Sequence, residues 1–122
     1  MIIRDIAASP YTRVIDQSVL CELLHPDAVP GTENLGCSIA HAIVPAGEET
    51  LPHRLHVSYE LYYILSGIGV IHIDDESAEV RGGQIVLIPP GARQFIRNTG
   101  SSDLIFLAIV SPRWKREDEV LC

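Results

Sequence analysis

The sequence predicts an all-β domain, a sandwich or barrel, and three observations carry that expectation. Apolar residues come in short segments dominated by β-branched and aromatic side chains. Clusters of Gly, Pro and Asp separate those segments at even spacing. No long segment sustains a 3.6-residue apolar period.

In chain order the expected strands are Val19–Leu24, Cys37–Val44, Leu61–Leu65, Val70–Ile73, Ala78–Arg81, Ile85–Ile88, Gln94–Arg97 and Leu104–Val110. Over Ile15–Leu24 a helix stays open beside the strand, because Ile15, Val19 and Leu23 also fall on one helix face; Pro26 ends either element. Ser66-Gly67-Ile68-Gly69 reads as a tight turn with positive φ at a glycine, Asp74 to Ser77 and Gly82-Gly83 as further turns. Pro89-Pro90 stops Ile85–Ile88, since proline has no N–H to give a ladder.

With 122 residues the chain has room for one core, divided here into an arm over 1–33, a barrel over 34–112 and a charged tail over 113–122. Nine Lys and Arg stand against sixteen Asp and Glu, a net charge of −7. Only Arg113, Lys115 and Arg116 lie close together, which excludes the basic face that nucleic-acid binding needs. The longest apolar run, Leu104–Val110, is too short to cross a bilayer, and Met1–Asp5 has no secretory leader pattern. Cys21, Cys37 and Cys122 form no C-x-x-C pair and suggest no disulfide framework. A cytoplasmic, soluble protein without membrane or nucleic-acid partners is expected.

Ile85–Ile88 and Leu104–Val110 are apolar on both faces. A barrel has one inside, so the outer face needs cover from the N-terminal segment or from a second subunit, and a homodimer is expected.

Two spacings carry chemistry. From Gly47, five residues lead to His53, followed by Leu55, His56 and Glu60, and six more residues reach Gly67. From Gly83, five residues lead to Pro89, then Gly91, Gln94 and Asn98 follow at fixed offsets. Together they resemble the two motifs of the cupin superfamily, G-x5-H-x-H-x3,4-E-x6-G and G-x5-P-x-G-x2-H-x3-N. The resemblance spans Gly47 to Asn98 and implies a double-stranded β-helix, a jelly-roll-like β-barrel. It also implies an inward-facing set of three histidines and one glutamate that holds a divalent ion such as Mn, Fe, Ni or Zn.

The sequence departs from that pattern twice. If Gly47 and His53 set the frame, Leu55 stands at the second histidine; if Glu60 sets it with the shorter spacing, that histidine is His56 and Arg54 takes the first place. The frame through His53 satisfies both glycine spacings and is preferred. In the second motif Gln94 stands where the family has histidine. His53, Glu60 and Gln94 are therefore the expected metal ligands, with His56 the alternative. One nitrogen and two oxygens suit Mn²⁺ or Fe²⁺ better than structural Zn²⁺. A barrel that has kept its fold and lost its metal is the competing expectation.

Other polar residues have plainer readings. His41 and His72 lie in strands, where each either reaches the barrel interior or is hydrogen-bonded at an edge, and His25 reads as a surface loop residue. Tyr62 and Tyr63 must point to opposite sides of their strand; one of them can donate a phenolic hydrogen bond to a ligand or act as an acid/base group, and core packing or an interface is the plainer reading. Arg93 and Arg97, at odd offsets from Gln94, read as solvated or ion-paired. Trp114 reads as a plug at one barrel end or a partner contact.

Three function classes follow. One is a metal-dependent small-molecule enzyme of dioxygenase, decarboxylase or isomerase type; another is a non-catalytic barrel that binds a small metabolite without metal; the third is a structural or interaction module. No nucleophile elbow, phosphate loop or dinucleotide fingerprint is present.

Overall fold

Alternating side chains bounded by turn residues assemble into two antiparallel sheets. A computed structural model describes all residues, Met1–Cys122. The strands are β1 (Thr12–Arg13), β2 (Val19–Leu24), β3 (Ser38–Val44), β4 (His53–Leu55), β5 (Tyr59–Ser66), β6 (Ile68–Ile73), β7 (Glu76–Arg81), β8 (Ile85–Ile88), β9 (Gln94–Asn98), β10 (Leu104–Ser111) and β11 (Glu119–Leu121). One sheet has six strands in the order β1-β2-β3-β10-β5-β8, the other five in the order β11-β4-β9-β6-β7. Their inner faces close on one apolar core that includes Ile64 and Phe106 from the first sheet and Ile71 and Ile96 from the second. This is a jelly-roll barrel. No helix is long and apolar enough to cross a membrane.

All eight expected strands are present, and the Ile15–Leu24 ambiguity resolves to a strand, because β2 pairs with β3. Three short strands escaped the sequence reading. β4 has Pro52 before it and a bend after it, so it is too short to display alternation. β11 lies inside the charged tail and exists by pairing with β4, which places Leu121 opposite His53. β1 adds only two residues to the edge of the first sheet. Gly67 turns β5 into β6 at φ +93°, and a Cβ there would come within 2.7 Å of the Asp103 carbonyl oxygen. Only glycine fits that crossing. The motif's Asn98 is a staple: its side-chain N–H groups donate to the carbonyls of Val44 and Ser102, each at 2.8 Å.

Small side chains leave a hollow at one end of the barrel. Ala108 on β10 lies directly opposite Ala40 on β3, and Phe106 lies opposite Ala42. Two alanines side by side on one sheet cannot fill the space to the opposite sheet, some 10 Å away. A cavity of about 300 Å³ results, walled by Ala40, Ala42, Phe106, Ala108 and Val110 on its apolar side.

The outer face of the six-stranded sheet is apolar as well. On β8, Ile85 is 61% exposed and Leu87 58%, beside Tyr63 and Leu65 of β5. The N-terminal arm covers only the far edge, where the Tyr11 hydroxyl meets His41 Nδ1 at 2.7 Å. A contiguous apolar face on β5 and β8 is what a two-fold contact buries. Light scattering at low micromolar concentration should therefore return twice the 13.4 kDa of one chain, and Leu87→Glu should halve that mass. A parent protein of one-chain mass would assign the face no partner.

Candidate functional site

The polar wall of the cavity is built from β4, β5 and two terminal segments. His53 on β4 is 2% exposed. Its Nδ1 lies 2.8 Å from the Leu51 carbonyl oxygen, which can only accept. Nδ1 therefore carries a proton, and in the neutral imidazole the lone pair sits on Nε2, on the cavity side. Nε2 has no hydrogen bond; the nearest anionic atom is Asp16 Oδ2 at 3.8 Å. Asp16 belongs to the turn between β1 and β2, where Ser18 fixes its other oxygen through backbone N–H (3.0 Å) and hydroxyl (2.7 Å).

Gln94 pairs with His53 across β4 and β9 and is 1% exposed. Each end of its amide makes one hydrogen bond. Nε2–H donates to Glu60 Oε1 at 2.9 Å, and Oε1 accepts from the Tyr62 hydroxyl at 3.0 Å. Glu60 and Tyr62 line the cavity, whereas Gln94 stands behind them. The result is a hydrogen-bonded chain, Tyr62 to Gln94 to Glu60.

Burial dominates the electrostatics. It pushes the Glu60 carboxyl up to about 7, with His53 and the Gln94 amide pulling partly back and Asp16 and Glu119 adding to the rise. Tyr62 is driven well above its usual range by burial and then by the Glu60 charge, so its hydroxyl keeps its proton. Glu119 on β11 is raised too, mainly by burial. Its Oε1 accepts the Trp114 indole N–H at 3.0 Å, while its Oε2 is buried with no partner.

The structure brings together His53, Glu60 and Gln94 and adds Tyr62 of the two candidate tyrosines. Tyr63 faces outward at 39% exposure. Leu55 is buried on the same side of β4 as His53, so it occupies the second-histidine position. His56 is exposed on the following bend and borders a separate surface depression beside Lys115. His41 faces the arm, and His72 stacks on Phe95 with ring centroids 4.2 Å apart, so neither enters the cavity. His25 corrects the surface-loop expectation. It is buried beneath the C-terminal segment, donating through Nε2 to the Trp114 carbonyl at 2.7 Å and accepting the Asp27 N–H at Nδ1. Asp16 and Glu119 were not legible at all, one lying in a turn and one in a charged run.

The Cupin domain family model matches residues 40–110, more than half of the chain. The chain belongs to the cupin family. This cupin is 41% identical over 103 residues to an uncharacterized protein of Methanocaldococcus jannaschii, covering 84% of this chain and 80% of that one. It is 30% identical over 89 residues to a Thermotoga maritima protein named an oxalate-binding protein, covering 73% and 74%. A crystal structure of a predicted oxalate decarboxylase from Thermotoga maritima superposes with a TM-score of 0.80 at 24% identity, covering 91% of this chain and 99% of that one, which shows the shared fold.

The four-ligand metal site that cupin motifs imply does not fit these residues. Leu55 offers no donor atom, and the Gln94 amide is committed to Tyr62 and Glu60 behind the cavity wall. No three of the His, Cys, Asp and Glu side chains converge to hold an ion.

The raised Glu60 has a stability consequence. The folded state binds its proton up to about pH 7 whereas the ordinary value is 4.5, so stability falls as pH rises through that window and is level above it. Glu60→Gln removes the buried charge and keeps the Gln94 contact. It should stabilise the protein at pH 8 by up to about 3 kcal/mol and leave it unchanged at pH 4, read from urea unfolding. Destabilisation at pH 8 would contradict the buried, uncompensated carboxylate.

Proposed function

We propose that this cupin binds a small metabolite in its barrel and exchanges protons with it through Glu60 and His53 without a resident metal, chemistry of the lyase or isomerase type. The observation that carries the reading is the commitment of Gln94. With that amide bonded to Tyr62 and Glu60, His53 and Glu60 face the cavity as an acid–base pair beside the carboxyls of Asp16 and Glu119, in place of a coordination sphere.

The pair suits proton transfer. A carboxyl poised near 7 gives and takes a proton at neutral pH with little driving force either way. The Gln94 N–H fixes one carboxyl oxygen and leaves the other for the ligand. His53, held in one tautomer by Leu51, offers a basic nitrogen on the same wall. Tyr62 is a positioning residue: its hydroxyl orients Gln94, which orients Glu60. The apolar wall opposite excludes water and strengthens each polar contact. The hollow also supports a second reading, capture of the metabolite without turnover.

Metal titration tests the reading. Protein purified without chelator or affinity-tag histidines should hold well under one Mn, Fe, Ni or Zn per chain, and Leu55→His with Gln94→His should gain tight divalent binding. Stoichiometric metal in the parent, or equal affinity in parent and double variant, would overturn it.

A further inference from the structure

The cavity's polar atoms are unbalanced in kind. With the carboxyls ionised, the inward atoms of the wall are acceptors: the His53 lone pair, the second oxygen of Glu60, Asp16 Oδ2 and Glu119 Oε2. The Tyr62 hydroxyl gives its proton to Gln94, and the Trp114 indole N–H is used on Glu119 Oε1. Glu119 Oε2 is buried with no donor at all, and His53 Nε2 makes no hydrogen bond within the protein. A buried acceptor without a donor is costly, so the missing donors belong to whatever fills the space.

Charge points the same way. Asp16, Glu22, Glu60 and Glu119 line the cavity against one fixed cation, Arg116, which is exposed at the rim. These carboxylates ring a hollow and do not converge on a point, so the space suits a molecule and not a bare ion. About ten water volumes fit in 300 Å³. The side opposite the acceptors is apolar, and Trp114 adds an aromatic surface that favours a cation.

Resting on the metal-independent reading of the same cavity, we propose that the ligand is a small protonated amine with an apolar body. Its three N–H donors meet the acceptors of Asp16, Glu60 and Glu119, and its carbon skeleton lies against Phe106 and the paired alanines Ala40 and Ala108. A dicarboxylate such as the one in the Thermotoga relative's name would meet like charge on this wall.

Three matched probes decide it: n-butylammonium, n-butanol and butyrate, titrated into the metal-free parent at pH 7.5 and followed by amide chemical shifts. Butylammonium should bind more tightly than butanol, and butyrate should shift nothing inside the barrel. Glu119→Gln, which keeps an acceptor for Trp114, should weaken butylammonium about tenfold, the loss of one charge-assisted contact. Ala108→Leu should fill the hollow and abolish binding of all three, with an unfolding curve checking that the variant folds. Butyrate binding as tightly as butylammonium, or butylammonium binding unaffected by either substitution, would overturn the proposal. If butyrate binds a metal-free parent, only the ligand class fails. If the parent carries stoichiometric metal, the underlying reading fails instead.

Discussion

Glu60 sits inside an apolar barrel, where an ionised carboxylate is costly, and its side-chain hydrogen bond comes from the amide of Gln94. Much of the site follows from that contact. One donor stabilises the charge incompletely, so burial holds the carboxyl near 7. The same amide must then find a donor for its own oxygen, and the Tyr62 hydroxyl supplies it from the neighbouring inward position of β5. The second-motif position thus gives up its place in a metal's shell and becomes the brace between a phenol and a carboxyl.

The space in front of that chain comes from a different part of the sequence. Ala40 and Ala108 lie side by side on β3 and β10, in the sheet that otherwise supplies bulky core residues. The open end is finished by the two termini. The β1–β2 turn brings Asp16 toward His53, and β11 brings Glu119 by pairing with β4. Segments outside the motif-bearing strands therefore determine the cavity's charge, while the motif strands determine its proton chemistry.

How much of this the sequence discloses depends on the physics at each place. Turn residues fix strand ends, so Gly67, Gly83 and the Pro89-Pro90 pair delimit β5, β7 and β8 correctly. Motif spacing brings His53, Glu60 and Gln94 together. Hydropathy does not separate Tyr62 from Tyr63, because the outer face of β5 is nearly as apolar as the inner one, whereas alternation counted from Glu60 does, placing Tyr62 two residues on and on the same face. Asp16, Glu119 and His25 were beyond reach for another reason. Their burial is conferred by chain segments far away in sequence, and nothing local distinguishes them from solvated charges and a loop imidazole.

The central claim is that Glu60 is a neutral-pH proton-exchanging group in a barrel that needs no metal. Carbon-13 NMR titration of the Glu60 side-chain carboxyl, with and without added Mn²⁺, tests it most directly. The account predicts a midpoint near 7 that Mn²⁺ leaves in place. A midpoint at the ordinary 4.5, or one driven down by Mn²⁺, would contradict it.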